Sequence, residues 1–242
     1  RCTNCMAGRE GSDDAATSAA PEQAGPPWPG RREVNYFVTG TDTDCGKTYV
    51  TALLVRAARA AGGDAVGAKP FCCGPRTDVE ILAQAADQTE TLDAINPLWW
   101  KTPASPRACE MLGEPAAEVP RALTAVRDLA ARHAQVFCEG AGGWLVPVAK
   151  DFTVADFAAD LGWPVIVVVR NKLGALNHTL LTVESVRRRG LPLAGIILND
   201  VEGQADEATR TNRAVLEESC SCPILAEIAR GQLALCAPIA LI

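Results

Sequence analysis

The sequence predicts an α/β fold: a doubly wound, mainly parallel sheet flanked by helices. Strand and helix candidates alternate along most of the chain, which favours parallel strands joined by helical crossovers. Residues 165–169 are five consecutive apolar residues, typical of a strand that is buried on both faces. A turn containing two glycines joins the first strand candidate to the first helix candidate, and ligands of such sheets bind at the carboxyl ends of strands.

Short apolar runs bounded by turn residues mark the strands. They lie at 34–39, 65–69, 135–139, 165–169, 193–198 and 224–228.

Helical periodicity fills the intervals between these runs. In 47–61 the apolar residues follow the spacing of one helical face, and Gly62 then supplies a stop signal. Thr77 and Glu80 have the spacing of a capping box. Ser105 precedes a proline at a first helical position. The predicted helices are 47–61, 77–86, a segment from 106 onward, 120–133, 154–161, 176–189 and 206–218.

Composition limits the class of protein. The 242 residues carry a net charge of −6, with 48% hydrophobic and 21% charged residues, as in ordinary globular proteins. The acidic balance argues against general nucleic-acid binding, which needs a basic surface. No apolar run approaches the roughly 18 residues of a membrane span. We therefore expect neither a nucleic-acid nor a membrane partner.

The composition also divides the chain. Residues 1–33 contain no Val, Ile, Leu or Phe, so we expect a disordered N-terminal extension followed by a single domain over 34–242. The ten cysteines occur without a signal peptide, which predicts reduced thiols and a cytoplasmic protein. Cys2 and Cys5 resemble half of a zinc site, but the other half is missing.

The turn after the first strand has the features of a phosphate-binding loop. It runs from Gly40 through Gly46, Lys47 and Thr48, between a strand and a helix. Backbone N–H groups at the helix start form an anion site, with Lys47 placed for the β- and γ-phosphates and Thr48 for Mg²⁺. The spacing between the glycines is one residue longer than in the usual motif. The context nevertheless predicts a nucleotide site.

Three charged residues extend this site. Lys69 and Glu139 end strands, and Asp78 lies in the first turn of a helix. Thr48, Asp78 and Glu139 together offer one hydroxyl and two carboxylates, a set suited to a partly hydrated Mg²⁺ ion. Each residue alone also fits a structural role: a solvated strand tip, a helix-dipole partner or an edge carboxylate.

The motifs together resemble those of the dethiobiotin synthetase family. They are the phosphate loop of residues 40–48, Lys69-Pro70, the Glu-Gly-Ala-Gly-Gly-Trp run of 139–144, the loop of 172–178 and Asn199-Asp200. The resemblance covers roughly residues 34–228. It implies ATP- and Mg²⁺-dependent closure of the ureido ring of dethiobiotin. The substrates would be 7,8-diaminononanoate and CO2, and the route a carbamate and a carbamic–phosphoric anhydride.

The resemblance also implies residue roles. Lys47 would stabilise the transferring phosphate, Lys69 would hold the carbamate, and both would be catalytic. The metal ligands would be Thr48, Asp78 and Glu139. The substrate contacts would be Thr43, Lys69, Cys73, Gly174 and Asn177. The ATP contacts would be Asp44, Cys45, Gly46, Lys47, Thr48, Tyr49, Glu139, Gly140, Ala141, Gly142, Asn199 and Asp200. The loop of 172–177 implies a homodimer.

Two departures from the family pattern bear on the substrates. Cys73 stands where the family usually has serine, and a neutral hydrogen bond there is worth about 0.5–1.5 kcal/mol. Near the C-terminus, the family's Gly-Glu-Ile-Pro segment appears as Ala-Glu-Ile-Ala at 226–229, which bears on nucleotide selectivity.

Two alternative functions remain open. A cobyrinate-type amidoligase would need a second glutaminase domain, for which the chain has no room. A septum-positioning or partitioning ATPase would carry a lysine where Asp42 stands.

Overall fold

A computed structural model describes residues 34–203 and 206–235. The predicted N-terminal extension, with Cys2 and Cys5, lies outside the described residues. The described strands are β1 (Tyr36–Gly40), β2 (Ala65–Ala68), β3 (Phe71–Cys73), β4 (Leu98–Trp100), β5 (Gln135–Glu139), β6 (Pro147–Ala149), β7 (Phe152–Thr153), β8 (Val165–Arg170), β9 (Leu193–Asn199) and β10 (Ile224–Ile228).

The helices lie between these strands. They are α1 (Lys47–Ala60), α2 (Thr77–Ala85), α3 (Leu92–Ile95), α4 (Pro106–Met111), α5 (Val119–Arg132), α6 (Val154–Leu161), α7 (Ala175–Arg188) and α8 (Glu207–Ser219).

Six strands form one sheet in the order β10-β9-β8-β1-β5-β2, and every neighbouring pair in it is parallel. The predicted α/β class with a mainly parallel sheet is therefore confirmed. The apolar run of 165–169 forms most of β8, between β1 and β9, and all five of its residues are buried. The uninterrupted apolar pattern thus reflects the burial of this strand on both faces.

The order of the sheet brings three strand ends together. β1 lies between β8 and β5, and β5 pairs in turn with β2. In register, Val38 on β1 lies opposite Glu139, while Ala68 on β2 lies opposite Cys138. Glu139, Lys69 and the loop after Gly40 must therefore emerge at the same edge of the sheet.

The elements that the periodicity did not predict are short. α3 has four residues, and β3, β4, β6 and β7 have two or three each, which is too few to display a repeat. β3 pairs with β4, and β6 with β7, in two small sheets outside the main one. The capping box predicted at Thr77 is wrong. α2 begins at Thr77 itself, and Arg76 at the N-cap makes no side-chain cap hydrogen bond.

The helix start predicted at Ser105 and Pro106 is confirmed. Ser105 caps α4 by accepting a hydrogen bond from the Ala108 N–H at 3.2 Å, ahead of Pro106. The cysteines of the described segments are free thiols. Within those segments, no helix is both long and apolar enough to cross a membrane.

Thr39 on β1 is fully buried, and its hydroxyl has no hydrogen-bond partner. An unpaired buried polar group costs about 1–3 kcal/mol, so Thr39→Val is expected to raise the free energy of unfolding by about 1 kcal/mol. Urea denaturation measures the change. Thr179→Val is the matched control, because the equally buried Thr179 hydroxyl donates to the Ala175 carbonyl at 2.7 Å. Equal destabilisation by both changes would contradict the prediction.

Asp156 closes a capping box at the start of α6. Its carboxylate accepts hydrogen bonds from the Thr153 N–H at 2.8 Å and the Thr153 hydroxyl at 2.6 Å, and Arg189 lies at 3.5 Å. Burial raises the pKa of Asp156, but the Thr153 hydrogen bonds and Arg189 outweigh it, so that the pKa is lowered. The carboxylate therefore stabilises the fold above the ordinary aspartate pKa of about 3.9, and this contribution is lost as the pH falls through the folded-state pKa.

Asp156→Asn is accordingly expected to lower the free energy of unfolding by about 1 kcal/mol at neutral pH, the usual worth of a cap. The difference from the wild type should shrink as the pH falls below about 4. Urea denaturation at several pH values measures both effects. Asp128→Asn, on the exposed face of α5, is the control and should change little. A deficit that persists undiminished in acid would contradict the assignment.

Candidate nucleotide and metal site

The loop between β1 and α1 is shaped to bind an anion. Asp44 and Gly46 both have positive φ, at 58° and 86°, and Gly46 is the N-cap of α1. This cap makes no side-chain hydrogen bond, and the first turn of α1 contains no acidic residue. The N–H groups and the positive dipole end of α1 are thus left for a ligand such as phosphate.

Both glycines of the loop are required by their surroundings. A Cβ on Gly40 would lie 2.4 Å from Cys45 Sγ. A Cβ on Gly46 would lie 2.2 Å from Asn199 Nδ2, the atom that donates a 2.9 Å hydrogen bond to the Cys45 carbonyl. Asn199 therefore fixes the loop from the end of β9, and the hydrogen bond depends on the absence of a side chain at Gly46.

Gly46→Ala is expected to weaken ATP binding at least about tenfold, equivalent to about 1.4 kcal/mol, because the new methyl group displaces the Asn199 amide. Titration calorimetry with ATP measures the affinity. Gly62→Ala is the matched control, since Gly62 has the same φ of 86° but nothing within 4 Å of a Cβ. ATP binding by Gly46→Ala within twofold of that of Gly62→Ala would contradict this role for Asn199.

Lys47 is buried at the start of α1, with 7% of its surface exposed. Its Nζ donates a hydrogen bond to the Asp42 carbonyl at 3.0 Å, so the ammonium folds back along the loop. Cys45, beneath it, is fully buried, and burial raises the pKa of its thiol. Cys45 is therefore a neutral packing residue, and its contribution to the loop comes from the backbone.

Four polar side chains meet beside this loop. Glu139 Oε1 accepts hydrogen bonds from Lys69 Nζ at 2.7 Å and from the Thr48 hydroxyl at 2.8 Å. Lys69 also forms a short ion pair with Asp78, and its Nζ lies 3.5 Å from the Thr48 hydroxyl. The structure thus brings together all three predicted metal ligands and one of the two predicted catalytic lysines.

The charges of this cluster are strongly coupled. Burial lowers the pKa of Lys69, but the carboxylates of Glu139 and Asp78 more than offset this, so that the pKa is raised. Lys69 is therefore an ammonium at neutral pH. Glu139 is fully buried, and its second oxygen, Oε2, has no hydrogen-bond partner. A buried carboxylate oxygen without a partner is costly, and a ligand would satisfy it.

The donor set fits Mg²⁺. This ion typically takes one or two carboxylates and completes its shell with water and phosphate oxygens. Glu139 supplies the unpartnered oxygen, Asp78 is about half exposed and Thr48 adds a hydroxyl. Within residues 34–203 and 206–235 no group of three His, Cys, Asp or Glu side chains is placed to hold a metal ion.

The cluster and the loop line one cavity of about 670 Å³. The predicted site residues in its wall are Thr43, Asp44, Gly46, Lys47, Thr48, Tyr49, Lys69, Cys73, Asp78, Glu139, Ala141 and Gly142. Other residues of the wall were not among the predicted site residues. These residues are Phe71, Cys72, Ile81, Pro103, Ala104, Ser105, Pro106 and Val146. The Ser-Pro helix start was a signal in the sequence, but nothing in it pointed to a cavity.

Cys73 lies in the wall with its thiol half buried. Burial, together with the neighbouring Cys109, raises the pKa of Cys73. The thiol is therefore neutral at physiological pH and can act as a weak hydrogen-bond donor.

The other predicted site residues lie outside this wall. Gly140 packs beneath it, where a Cβ would lie 2.8 Å from Val154 Cγ1. Asp200 accepts a hydrogen bond from the Gly203 N–H at 2.7 Å, and so shapes its own loop. Gly174, the N-cap of α7, and Asn177 are exposed.

The C-terminal segment of 229–235 follows β10 and reaches the loop region. The Tyr49 hydroxyl donates a short hydrogen bond to the Gln232 carbonyl, and the Asp200 N–H donates to the Ile228 carbonyl at 2.8 Å. The atypical sequence after Ile228 is therefore attached to α1, beside the phosphate loop.

The sequence is similar to those of known proteins. A protein-family profile described as an AAA domain matches residues 34–233. The ATP-dependent dethiobiotin synthetase BioD of Akkermansia muciniphila is 42% identical over 82% of this chain and 93% of its own length. The BioD of Anaeromyxobacter dehalogenans strain 2CP-1 is 50% identical over 74% of this chain and 82% of its own.

A solved structure shares the fold. The septum site-determining protein MinD of Pyrococcus horikoshii, in complex with Mg-ADP, superposes with a TM-score of 0.51 at 17% identity. The match covers 81% of this chain and 80% of that one. At this identity the likeness concerns the fold alone.

Proposed function

The chain belongs to the ATP-dependent dethiobiotin synthetase family and is a ligase, and from this premise we propose how its residues carry out the reaction. The reaction joins 7,8-diaminononanoate and CO2 in a carbamate. The carbamate oxygen then attacks the γ-phosphate of ATP and releases ADP, which leaves a carbamic–phosphoric anhydride. The second amine attacks the carbonyl carbon of this anhydride, which closes the cyclic urea of dethiobiotin and releases phosphate. The alternatives of an amidoligase and a partitioning ATPase are not favoured.

The residue roles proposed below rest on one observation. The phosphate loop, both lysines and the carboxylates of Asp78 and Glu139 line a single cavity. Its volume of about 670 Å³ lies in the range of small-molecule sites, roughly 300–1,000 Å³. Phosphoryl transfer depends mainly on positioning and on neutralising charge. Both requirements are met where loop amides and ammonium groups surround the phosphate.

In the phosphate half of the cavity, Lys47 turns from the Asp42 carbonyl to the γ-phosphate. An ammonium 4 Å from a phosphate oxygen contributes about 4 kcal/mol at an effective dielectric constant of 20. The amides from Asp44 to Thr48 hold the β-phosphate at the start of α1. Ala141 and Gly142 face the same space from the loop after β5.

In the substrate half, Lys69 holds the carbamate through its ammonium group. Phe71, Ile81 and Pro103 line the same cavity and supply apolar surface, which suits the hydrocarbon chain of a diaminononanoate. The neutral Cys73 thiol replaces the family's serine as a weak donor. Thr43, beside Gly142 in the same wall, contacts the substrate or the transferring phosphate.

Thr48, Asp78 and Glu139 hold Mg²⁺ in this proposal. When bound, the metal neutralises charge on the transferring phosphate. The chain's own part is to present these oxygens beside the loop and to bury Glu139 completely, which strengthens its interaction with any cation.

Asn199 binds the adenine base of the nucleotide in this proposal. Its Nδ2 is committed to the Cys45 carbonyl, so the carbonyl oxygen of its side chain is the group that accepts from the adenine amino group. Asp200 and the segment of 229–235, attached through Tyr49, shape the adjoining surface.

We also propose a homodimer that functions in the cytoplasm. Leu173 is 80% exposed and Leu181 58% exposed, which places apolar surface beside Gly174 and Asn177. Gly174 and Asn177 do not line the cavity of their own chain. In the proposed dimer, these two residues instead contact the substrate that is bound in the cavity of the second copy.

The test is dethiobiotin formation by purified protein, with mass spectrometry to identify the product. Product is expected only when 7,8-diaminononanoate, bicarbonate, Mg²⁺ and ATP are all present. If a shortened protein of residues 34–242 forms dethiobiotin as fast as the full chain does, the result supports a single catalytic domain in that range. Full product without Mg²⁺ would contradict the metal assignment, and no product from the complete mixture would contradict the proposed function.

A further inference from the structure

The ammonium of Lys69 lies where the proposed metal ligands converge. Its Nζ is 2.7 Å from Glu139 Oε1 and 3.5 Å from the Thr48 hydroxyl, and it forms a short hydrogen bond with Asp78 Oδ2. These three side chains are the ones assigned to Mg²⁺. The Lys69 ammonium thus occupies the position among these side chains that is proposed for the metal ion.

The ammonium and a metal ion cannot share these oxygens. Mg²⁺ binds oxygen at about 2.0–2.1 Å, well inside the distance from Glu139 Oε1 to Nζ. Two cations on the same carboxylate oxygen would lie a few ångströms apart and repel each other strongly. Yet Glu139 is fully buried, and a buried carboxylate without a counter-ion is unfavourable. A cation is therefore required beside Glu139, and repulsion disfavours keeping both the ammonium and the metal on Oε1.

We propose that Lys69 and Mg²⁺ alternate on Glu139, Asp78 and Thr48. Before metal binding, Lys69 is the counter-ion of the two carboxylates. When the metal binds, the ammonium is released into the cavity that both lysines line, where the carbamate forms. This inference rests on the proposed function and deepens it, because the carbamate site is then completed only after the metal has bound.

The second oxygen of Glu139 gives the exchange a starting point. Oε2 has no hydrogen-bond partner, so an arriving metal can bind it before the ammonium leaves Oε1. The Asp78 side chain is about half exposed, whereas that of Glu139 is fully buried. Asp78 is therefore the ligand that a metal ion arriving from solvent contacts first.

Manganese binding tests the exchange without nucleotide or diamine. Free Mn²⁺ is counted by electron paramagnetic resonance with the full chain, Lys69→Ala and Lys150→Ala. Removing the competing ammonium is expected to tighten Mn²⁺ binding at least tenfold in Lys69→Ala. Lys150→Ala, which removes the same charge from an exposed lysine away from the cavity wall, should stay within threefold of the wild type. Binding by Lys69→Ala that is unchanged or weaker than that of the wild type, or no binding by either protein, would overturn the proposal.

A second measurement uses the wild-type chain and does not depend on the folding of a variant. The protein is labelled with ¹⁵N-lysine, and the ammonium resonance of Lys69 is assigned from its absence in Lys69→Arg. Its hydrogen-exchange rate is then measured in two samples, one with a non-hydrolysable ATP analogue alone and one with the analogue plus Mg²⁺. We expect slow hydrogen exchange without metal and at least tenfold faster exchange with it. Unchanged exchange would overturn the proposal. Neither arm measures dethiobiotin, so failure of the exchange and failure of the proposed function are separate results.

Discussion

Lys47→Ala is expected to lower kcat for dethiobiotin formation about a thousandfold while the fold survives. The lost ammonium–phosphate interaction, about 4 kcal/mol at 4 Å and a dielectric constant of 20, corresponds to that factor. The fold should survive because the only hydrogen bond to oxygen that Lys47 Nζ makes within the described residues is the one to the Asp42 carbonyl, at the partly exposed loop. Steady-state kinetics and thermal unfolding measure the two effects.

Lys150→Ala is the control for that experiment. Lys150 is exposed in the turn between β6 and β7, away from the cavity wall, so its removal should leave kcat within twofold. If Lys47→Ala were as active as Lys150→Ala, the phosphate-loop assignment would be wrong.

Glu139→Gln is expected to have the second large effect. The change keeps the shape of the side chain but removes the charge that faces Lys69, Thr48 and the proposed metal. Changes to residues that hydrogen-bond to metal ligands lower metal affinity about 10–100-fold. Loss of a carboxylate that itself binds the metal should lower it at least as much. The Mg²⁺ concentration for half-maximal dethiobiotin formation should therefore rise at least about tenfold, with a lower kcat.

Glu184→Gln, at an exposed carboxylate on α7, is the control for this variant. It should leave the Mg²⁺ dependence unchanged. A Glu139→Gln enzyme with wild-type kcat and wild-type Mg²⁺ dependence would exclude Glu139 as a metal ligand. The Lys69 ammonium would then be its functional partner.

The main sheet could be predicted from sequence because its signals are local. The apolar run of β8 and the helical period of α1 each follow from their own residues. The convergence of Lys69 and Glu139 follows from strand order, since Glu139 ends β5, Lys69 directly follows β2, and these two strands pair. Parallel strands place their carboxyl ends at one edge, so the chemistry of strand ends predicts a site before any contact is known.

The remainder of the site depends on tertiary contacts that leave no pattern in the sequence. Pro103 and Val146 reach the cavity from short irregular segments, whose placement is decided by packing. Asn199 was predicted to contact adenine, but the structure shows that its amide also supports the loop at Cys45, across a separation of 154 residues. The pairing of Lys69 with all three proposed metal ligands likewise appears only when the side chains are placed.

The central claim is that ATP cleavage here serves ring closure, and the diamine dependence of ADP release tests it most directly. With Mg²⁺, bicarbonate and ATP present, we predict that ADP release requires 7,8-diaminononanoate and yields one ADP for each dethiobiotin formed. ADP release at the same rate without the diamine, with no dethiobiotin formed, would contradict the ligase assignment and indicate an ATPase.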